Sequence, residues 1–284
     1  MRQDEDGTSG YARAGGRDIF YRSMGEGVPV IAIHGFGLDH QIELGSQEPI
    51  FQGREGYRRI YFDLPGMGRT GGALPRDSDE MLGLVQEFID SVIPGERFLL
   101  TGASYGAYLA RGVAFRWPER VRGLMLCVPV IIAGRERRAL PLRKVIKEDV
   151  SFLRTLAIDD RNEFSSAATV LDEKVWERYR RDVMLTVRSA DQKALLRFQE
   201  TGYAFSFDVD RPPKPFPAPA LMLMGRQDAT VGYEDALRII FNFPRGTVAV
   251  LDRASHALEM EQPSLFEALM GEWLDRVEEW SAGH

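Results

Sequence analysis

The chain reads as an α/β protein: a mostly parallel sheet covered by helices on both faces and interrupted once by a helical insertion. Two observations carry that expectation. Short runs rich in Val, Ile and Leu recur along the sequence and alternate with amphipathic stretches of helical period, the pattern of strands buried on both faces. Between about Arg135 and Lys214 the alternation stops, and helical segments follow one another without a convincing buried strand.

In chain order, Gly10–Ala14 is a candidate edge strand, followed by strands over Asp18–Ser23, Val28–Ile33 and Arg58–Asp63. A helix is expected over Glu80–Ile93, where Met81, Val85, Phe88 and Val92 form one apolar stripe and Pro94-Gly95 ends it. Arg97–Gly102 is the next strand, Ala107–Trp117 a helix and Arg122–Val128 a strand. In the insertion, helices are expected over Leu140–Leu156, Asp172–Leu185 and Ala190–Gln199. The proline-rich run from Arg211 to Pro219 forbids regular helix and suits an extended return to the sheet. Strands over Ala220–Gly225 and Thr247–Leu251 follow, and Glu261-Gln262-Pro263 opens a last helix. Residues 1–132 and 215–284 thus form a core in two parts, with 133–214 as a separate helical unit folding over one sheet edge.

The 284 residues (32.0 kDa) suffice for one large domain with such an insertion, and 44% hydrophobic with 27% charged residues is ordinary globular composition. No apolar run nears the roughly 20 residues of a membrane span. The polar, glycine-rich stretch Met1–Arg17 has no apolar h-region, so a cytoplasmic location is expected. The net charge of −6 argues against nucleic acid as a partner. The segment 135–214 nevertheless carries 17 Lys and Arg against 14 Asp and Glu, a basic middle on an acidic remainder. The single cysteine, Cys127, lies in an apolar run and reads as a core residue. The sequence leaves the oligomeric state open, a homodimer being one option.

Chemistry concentrates in Gly102-Ala103-Ser104-Tyr105-Gly106. A buried strand leads into this Gly-x-Ser-x-Gly turn and a helix leaves it, which throws the serine above the sheet edge at a helix N-terminus. A serine hydroxyl needs a base. Of four histidines, His284 is the chain end, while His256 follows the strand Thr247–Leu251 and so shares the sheet edge of Ser104. Asp228, after the strand Ala220–Gly225, is placed to orient that histidine. Taken singly, Asp228 is equally a loop or capping residue and His256 a surface histidine; the order Ser104, Asp228, His256 at three strand ends favours a joint role. The backbone N–H groups of Tyr105 and of Phe36, the latter in His34-Gly35-Phe36-Gly37, are expected to bind an oxyanion. His34, Gly35 and Gly37 are candidates to face substrate, although orienting the loop is the stronger role for His34. The literal Gly-x-Gly-x-x-Gly at Gly66–Gly71 lacks the helix that a dinucleotide fingerprint requires and reads as a tight loop near the site. No spacing suggests a metal.

These landmarks, with Asp63-Leu-Pro-Gly-Met-Gly68 and Gly225-x-x-Asp228, resemble the α/β-hydrolase superfamily from Gly10 to about Trp280. The resemblance implies an eight-stranded sheet, a helical cap over the active site, no cofactor, and Ser104, His256 and Asp228 as nucleophile, base and acid. Serine at the elbow argues against the haloalkane dehalogenase and epoxide hydrolase branches, which carry aspartate there. The expected activity is a serine hydrolase acting on a small carbonyl substrate, a carboxylic ester first. A carbon–carbon bond hydrolase of ring-cleavage products, a proline-iminopeptidase-like aminopeptidase and a triad-bearing ligand receptor are the alternatives. Ala257 stands where the ring-cleavage group usually has tryptophan, and Tyr105 where it commonly has methionine. In the cap, Phe152, Leu153, Leu156, Trp176 and Tyr179 are candidates for the pocket wall, with packing inside the cap as the competing role.

Overall fold

The computed structural model describes residues 7–283, so His284 lies outside the described residues. Eight strands form one sheet. In chain order they are β1 (Gly7–Ala14), β2 (Arg17–Met24), β3 (Val28–Ile33), β4 (Tyr57–Phe62), β5 (Phe98–Ala103) and β6 (Val121–Cys127). Two further short strands of the insertion, β7 (Lys147–Glu148) and β8 (Val170–Leu171), pair only with each other, and β9 (Ala220–Gly225) and β10 (Gly246–Leu251) complete the sheet. The spatial order is β1-β2-β4-β3-β5-β6-β9-β10. β1 and β2 run antiparallel to their neighbours, and from β4 onward every pairing is parallel.

Parallel order requires crossovers, and the crossover helices cover both faces. Helices α1 (His40–Phe51) and, at the chain end, α11 (Pro263–Ala282) pack together on one face; α2 (Ser78–Val92) and α3 (Tyr105–Arg116) pack together on the other. Sandwiched between them, β3, β5, β6 and β9 are almost wholly buried, which is why their sequences are continuous apolar runs. All four end at the same edge, where the loops carrying residues 34–38, 104, 128–138 and 226–231 gather.

Between β6 and β9 the chain leaves the sheet. It forms α4 (Val150–Leu153), α5 (Ile158–Ala167), α6 (Glu173–Tyr179), a π-helical turn over Arg180–Met184, α7 (Leu185–Ser189) and α8 (Gln192–Thr201). The short α9 (Glu234–Leu237) and α10 (Leu258–Glu261) lie beyond it. A separate apolar cluster holds the inserted helices: Phe164, Trp176, Tyr179, Val175, Leu153 and Met184 pack there with Ile42 of α1 and Met260 of α10.

The insertion differs from expectation in two places. Leu140–Leu156 is not one helix: only Val150–Leu153 is helical. The Ile146 N–H donates to Thr169 O and the Asp149 N–H to Leu171 O, so the approach is held extended by pairing with a strand more than 20 residues away. The Arg143 guanidinium reinforces this by donating to the carbonyls of Ser165, Ser166 and Ala168. Conversely, α5 has no apolar stripe to announce it, since Phe164 is its single buried residue. Outside the insertion, α1 also escapes the sequence pattern: Gly45 and Pro49 interrupt it, and its buried side includes Glu43, Ser46 and Gln47.

Candidate active site

The β5–α3 turn is tight because its glycines touch backbone. A Cβ at Gly106 would fall 1.9 Å from Ile33 O, and one at Gly102 would fall 2.5 Å from Gly106 O. Between them Ser104 adopts φ 54°, ψ −114°, a left-handed conformation that a non-glycine residue occupies at a cost. It is held there by its N–H donating to Cys127 O (2.9 Å) and by its carbonyl accepting from Tyr108 and Val130 N–H (both 3.2 Å). The hydroxyl consequently stands at the first turn of α3, where the Tyr105 N–H has no acceptor inside the helix.

Asp228, wholly buried after β9, spends one carboxylate oxygen on its own loop, accepting from Thr230 N–H (2.8 Å) and Val231 N–H (3.0 Å). Its other oxygen accepts from His256 Nδ1 at 2.8 Å. With Nδ1 protonated, His256 Nε2 accepts the Ser104 hydroxyl at 2.9 Å. Burial alone would lower the imidazole pKa, but the charge and hydrogen bond of Asp228 outweigh it and the net shift is upward. The loop bearing His256 is fixed by Glu261, whose carboxylate accepts from Ser255 N–H and, across the insertion, from Thr169 and Val170 N–H (Val170 at 2.9 Å).

These groups open into a cavity of about 910 Å³ lined by Gly35, Phe36 and Leu38 from the β3 loop, by Val130 and Arg138 after β6, and by Val183, Leu196 and Tyr203 from the insertion. Phe36 is wedged among aromatic rings, with centroids 5.2 Å from Tyr105 and 5.3 Å from both Phe198 and Tyr203. That packing fixes the backbone on which the Phe36 N–H sits.

Four of the five substrate-contact candidates His34, Gly35, Gly37, Trp176 and Tyr179 lie elsewhere. His34 is wholly buried and both ring nitrogens are used: Nδ1 donates to Gly35 O (2.7 Å) and Nε2 accepts from Leu64 N–H (2.9 Å). It orients the loop and has no face toward the cavity. Trp176 and Tyr179 lie in the inserted cluster, packed on Phe164, with the Tyr179 hydroxyl donating to Glu163 at 3.2 Å. Leu153, with Phe152 and Leu156 at its rim, belongs to the same cluster. Gly37 lines a neighbouring cleft between the glycine-rich loop 66–76 and α8. Of the five, only Gly35 borders the Ser104 cavity.

Asp39, His40 and Asp63 bring ligand-type atoms within 4.8 Å of one another. Asp63 already accepts from His40 Nδ1 and N–H and from Arg69 N–H, and Asp39 caps α1. Cys127 is buried, and burial, with Glu259, Glu43 and Asp228 nearby, pushes its thiol pKa well up.

The residues matched by the alpha/beta hydrolase family run from 30 to 269, most of the chain. The chain belongs to the alpha/beta hydrolase family. An alpha/beta superfamily hydrolase from Oenococcus oeni superposes with a TM-score of 0.85 at 28% identity, covering 95% of this chain and 99% of that one. A pimeloyl-[acyl-carrier protein] methyl ester esterase of Aeromonas salmonicida is 28% identical over 86% of this chain and 94% of its own. A 2-hydroxy-6-oxononadienedioate/2-hydroxy-6-oxononatrienedioate hydrolase of Burkholderia vietnamiensis is 25% identical over 78% and 77%. This alpha/beta hydrolase is therefore an enzyme with relatives named for ester and for dienedioate hydrolysis. None of its helices among the described residues is long and apolar enough to cross a membrane.

Sequence reasoning passed over Arg138 and Tyr203, which border the cavity, and a buried carboxyl pair behind His256. Glu43 on α1 and Glu259 on α10 are both buried, and a carboxylate oxygen of Glu259 has no hydrogen-bond partner among the described residues. Burial and the neighbouring Glu259 push Glu43 up to about 8. The arginine had only a weak signal in the sequence, lying eleven positions after β6, the strand that ends at the Ser104 edge. The carboxyl pair had none, being 216 positions apart by residue number.

Proposed function

We propose that the enzyme hydrolyses a small carboxylic ester through Ser104, His256 and Asp228. The supporting observation is the continuous hydrogen-bonded line Asp228–His256–Ser104, at 2.8 and 2.9 Å, ending at a cavity beside a helix N-terminus. Ser104 Oγ attacks the ester carbonyl carbon while its proton passes to His256 Nε2, and Asp228 stabilises the imidazolium. The carbonyl oxygen becomes an oxyanion accepting hydrogen bonds from the Tyr105 and Phe36 N–H groups. Collapse breaks the ester C–O bond, the alcohol leaves with the proton from His256, and an acyl-Ser104 remains. Water, deprotonated by His256, attacks the acyl carbon; the acid is released and Ser104 regains its hydrogen. Residues 133–214 act as a cap, supplying the cavity roof through Val183, Leu196 and Tyr203.

The activity for which the Burkholderia relative is named supports carbon–carbon hydrolysis as a second reading of the same geometry. An activity-based fluorophosphonate probe with Ser104→Ala as control, followed by a panel of esters, an aminoacyl arylamide and a ring-fission diketone, separates the two. Labelling that depends on Ser104, with turnover of the esters, is the expected result. Turnover of the diketone alone would replace ester hydrolysis with the second reading, and labelling that survives Ser104→Ala would end both.

A further inference from the structure

The cavity wall formed by the start of the insertion, just after β6, carries a cation without an ion-pair partner among the described residues. Arg138 is half-buried and forms no ion pair among the described residues. Nε donates to Ile132 O (2.7 Å), Nη1 to Thr230 O (3.0 Å) and Nη2 to Ala133 O (2.9 Å), so three carbonyls fix the guanidinium in orientation without neutralising it. Two N–H donors remain. One side of the group meets the buried Tyr203 phenol, which borders the same cavity. Arg138 is close enough to His256 for its charge to oppose the imidazolium.

Three of the four acids on the cavity rim are otherwise engaged, and the fourth, Glu200, is exposed near the end of α8. Asp79 accepts from Ser206 N–H and pairs with Arg116, Asp77 caps α2, and Glu136 pairs with Arg137. A rigidly held guanidinium in a partly desolvated wall is costly unless an anion arrives, and its last free N–H together with the Tyr203 O–H makes a donor pair that suits a carboxylate. Tyr203 can accept from Arg138 and still donate its own O–H.

We propose that Arg138 and Tyr203 form a carboxylate subsite, so that the substrate is the monoester of a short dicarboxylic acid, bound with its free carboxylate on Arg138 and its ester carbonyl at Ser104. The substrate class rests on the ester-hydrolase reading above; the anion site itself does not. The carboxylate makes no covalent bond. It anchors one end of the substrate and so positions the other.

The test uses the full chain. Hydrolysis of monomethyl succinate, glutarate and adipate is compared with that of methyl butyrate, valerate and hexanoate, in the wild type, Arg138→Gln and Tyr203→Phe. The expected result is an anionic-to-neutral preference in kcat/KM that falls by about ten- to a hundredfold in Arg138→Gln, the range for losing a hydrogen bond to a charged group. The same variant moves the acid limb of kcat/KM to higher pH, because the charge opposing the imidazolium is gone. Tyr203→Phe leaves the carbonyl clamp intact and lowers the preference about threefold or more, so it decides the matter if Arg138→Gln fails to fold. An equilibrium arm needs no turnover: millimolar glutarate raises the Tm of Ser104→Ala, and adding Arg138→Gln or Tyr203→Phe removes the rise. Ester turnover with no anionic preference at any of the three lengths, or a glutarate shift untouched by both variants, overturns the proposal. Loss of all Ser104-dependent turnover while glutarate still depends on Arg138 would leave the anion site standing and fell the hydrolytic reading instead.

Discussion

The sheet edge and the inserted helices are built on different principles. At the sheet edge, Ser104 and Asp228 each sit one or a few residues past a buried strand, and every side-chain polar atom of Asp228 and His256 has a partner. The insertion instead rests on a small cluster around Phe164 and Trp176, short helices, and ion pairs such as Arg188 with Asp160 and Glu163 that are largely solvent-exposed. Exposed pairs of this kind contribute little to stability. The difference teaches that the proposed chemistry is anchored where the core is deepest, while the proposed cavity roof hangs on the less buried region.

The sharpest test of the sheet-edge half is Ser104→Ala, expected to lower ester turnover by at least ~10³-fold while the Tm holds. Retained activity within tenfold would detach the chemistry from this edge. For the insertion, Phe164→Ala is expected to cost about 3–5 kcal/mol of packing there. Hydrogen exchange should then accelerate over residues 145–201 well before β3, β5 and β6, with KM rising more than kcat falls. Equal acceleration in both regions would make the molecule one cooperative unit and erase the contrast.

A pH profile sharpens the comparison at the catalytic edge. In the proposed reaction His256 is the base and must be neutral, and its pKa is raised, so kcat/KM should fall on acidification through a value above the ordinary imidazole 6.5. An acid limb below 6.5 would contradict the pairing with Asp228.

The buried carboxyl pair behind that edge supplies a stability test. The Glu43 carboxyl titrates at about 8 in the folded chain against 4.5 ordinarily. Between those values the folded state keeps a proton that the unfolded chain releases, so stability declines as pH rises from about 4.5 to about 8 and the penalty is constant above. Glu43→Gln removes that penalty, and its Tm advantage should grow across the same window and then level off. A constant Tm difference from pH 5 to 8 would place the titrating proton elsewhere. The smallest effect is expected from Tyr179→Phe, which removes one hydrogen bond inside the inserted cluster and should change ester kinetics less than twofold; a tenfold change would return Tyr179 to the cavity wall.

How far the sequence reached follows the same division. Strands β3, β5, β6 and β9 were the most legible, because a strand buried on both faces must be apolar throughout whatever its neighbours are, whereas the largely exposed β1 was anticipated only over Gly10–Ala14. The Gly-x-Ser-x-Gly turn was legible because two glycines are demanded by backbone contacts local to the turn. The extended stretch before α4 was hidden, its pairing partner lying near Thr169, and α5 was hidden because one buried phenylalanine leaves no periodic stripe. His34 shows the intermediate case: its residue type suggested chemistry, and two backbone hydrogen bonds in the folded chain consume both nitrogens.

By itself, then, the sequence determined what local physics determines: which segments are strands, where the chain turns too sharply for a side chain, and the family those turns resemble. Tertiary structure alone decided which side chains share a space. Bringing Ser104, Asp228 and His256 to 2.8–2.9 Å contacts, turning Trp176 and Tyr179 inward, and leaving Arg138 on the cavity wall with no ion-pair partner among the described residues all depend on packing between distant segments. Such packing leaves no periodic trace along the chain, since each partner is chosen by the shape and charge of groups that meet it only after folding.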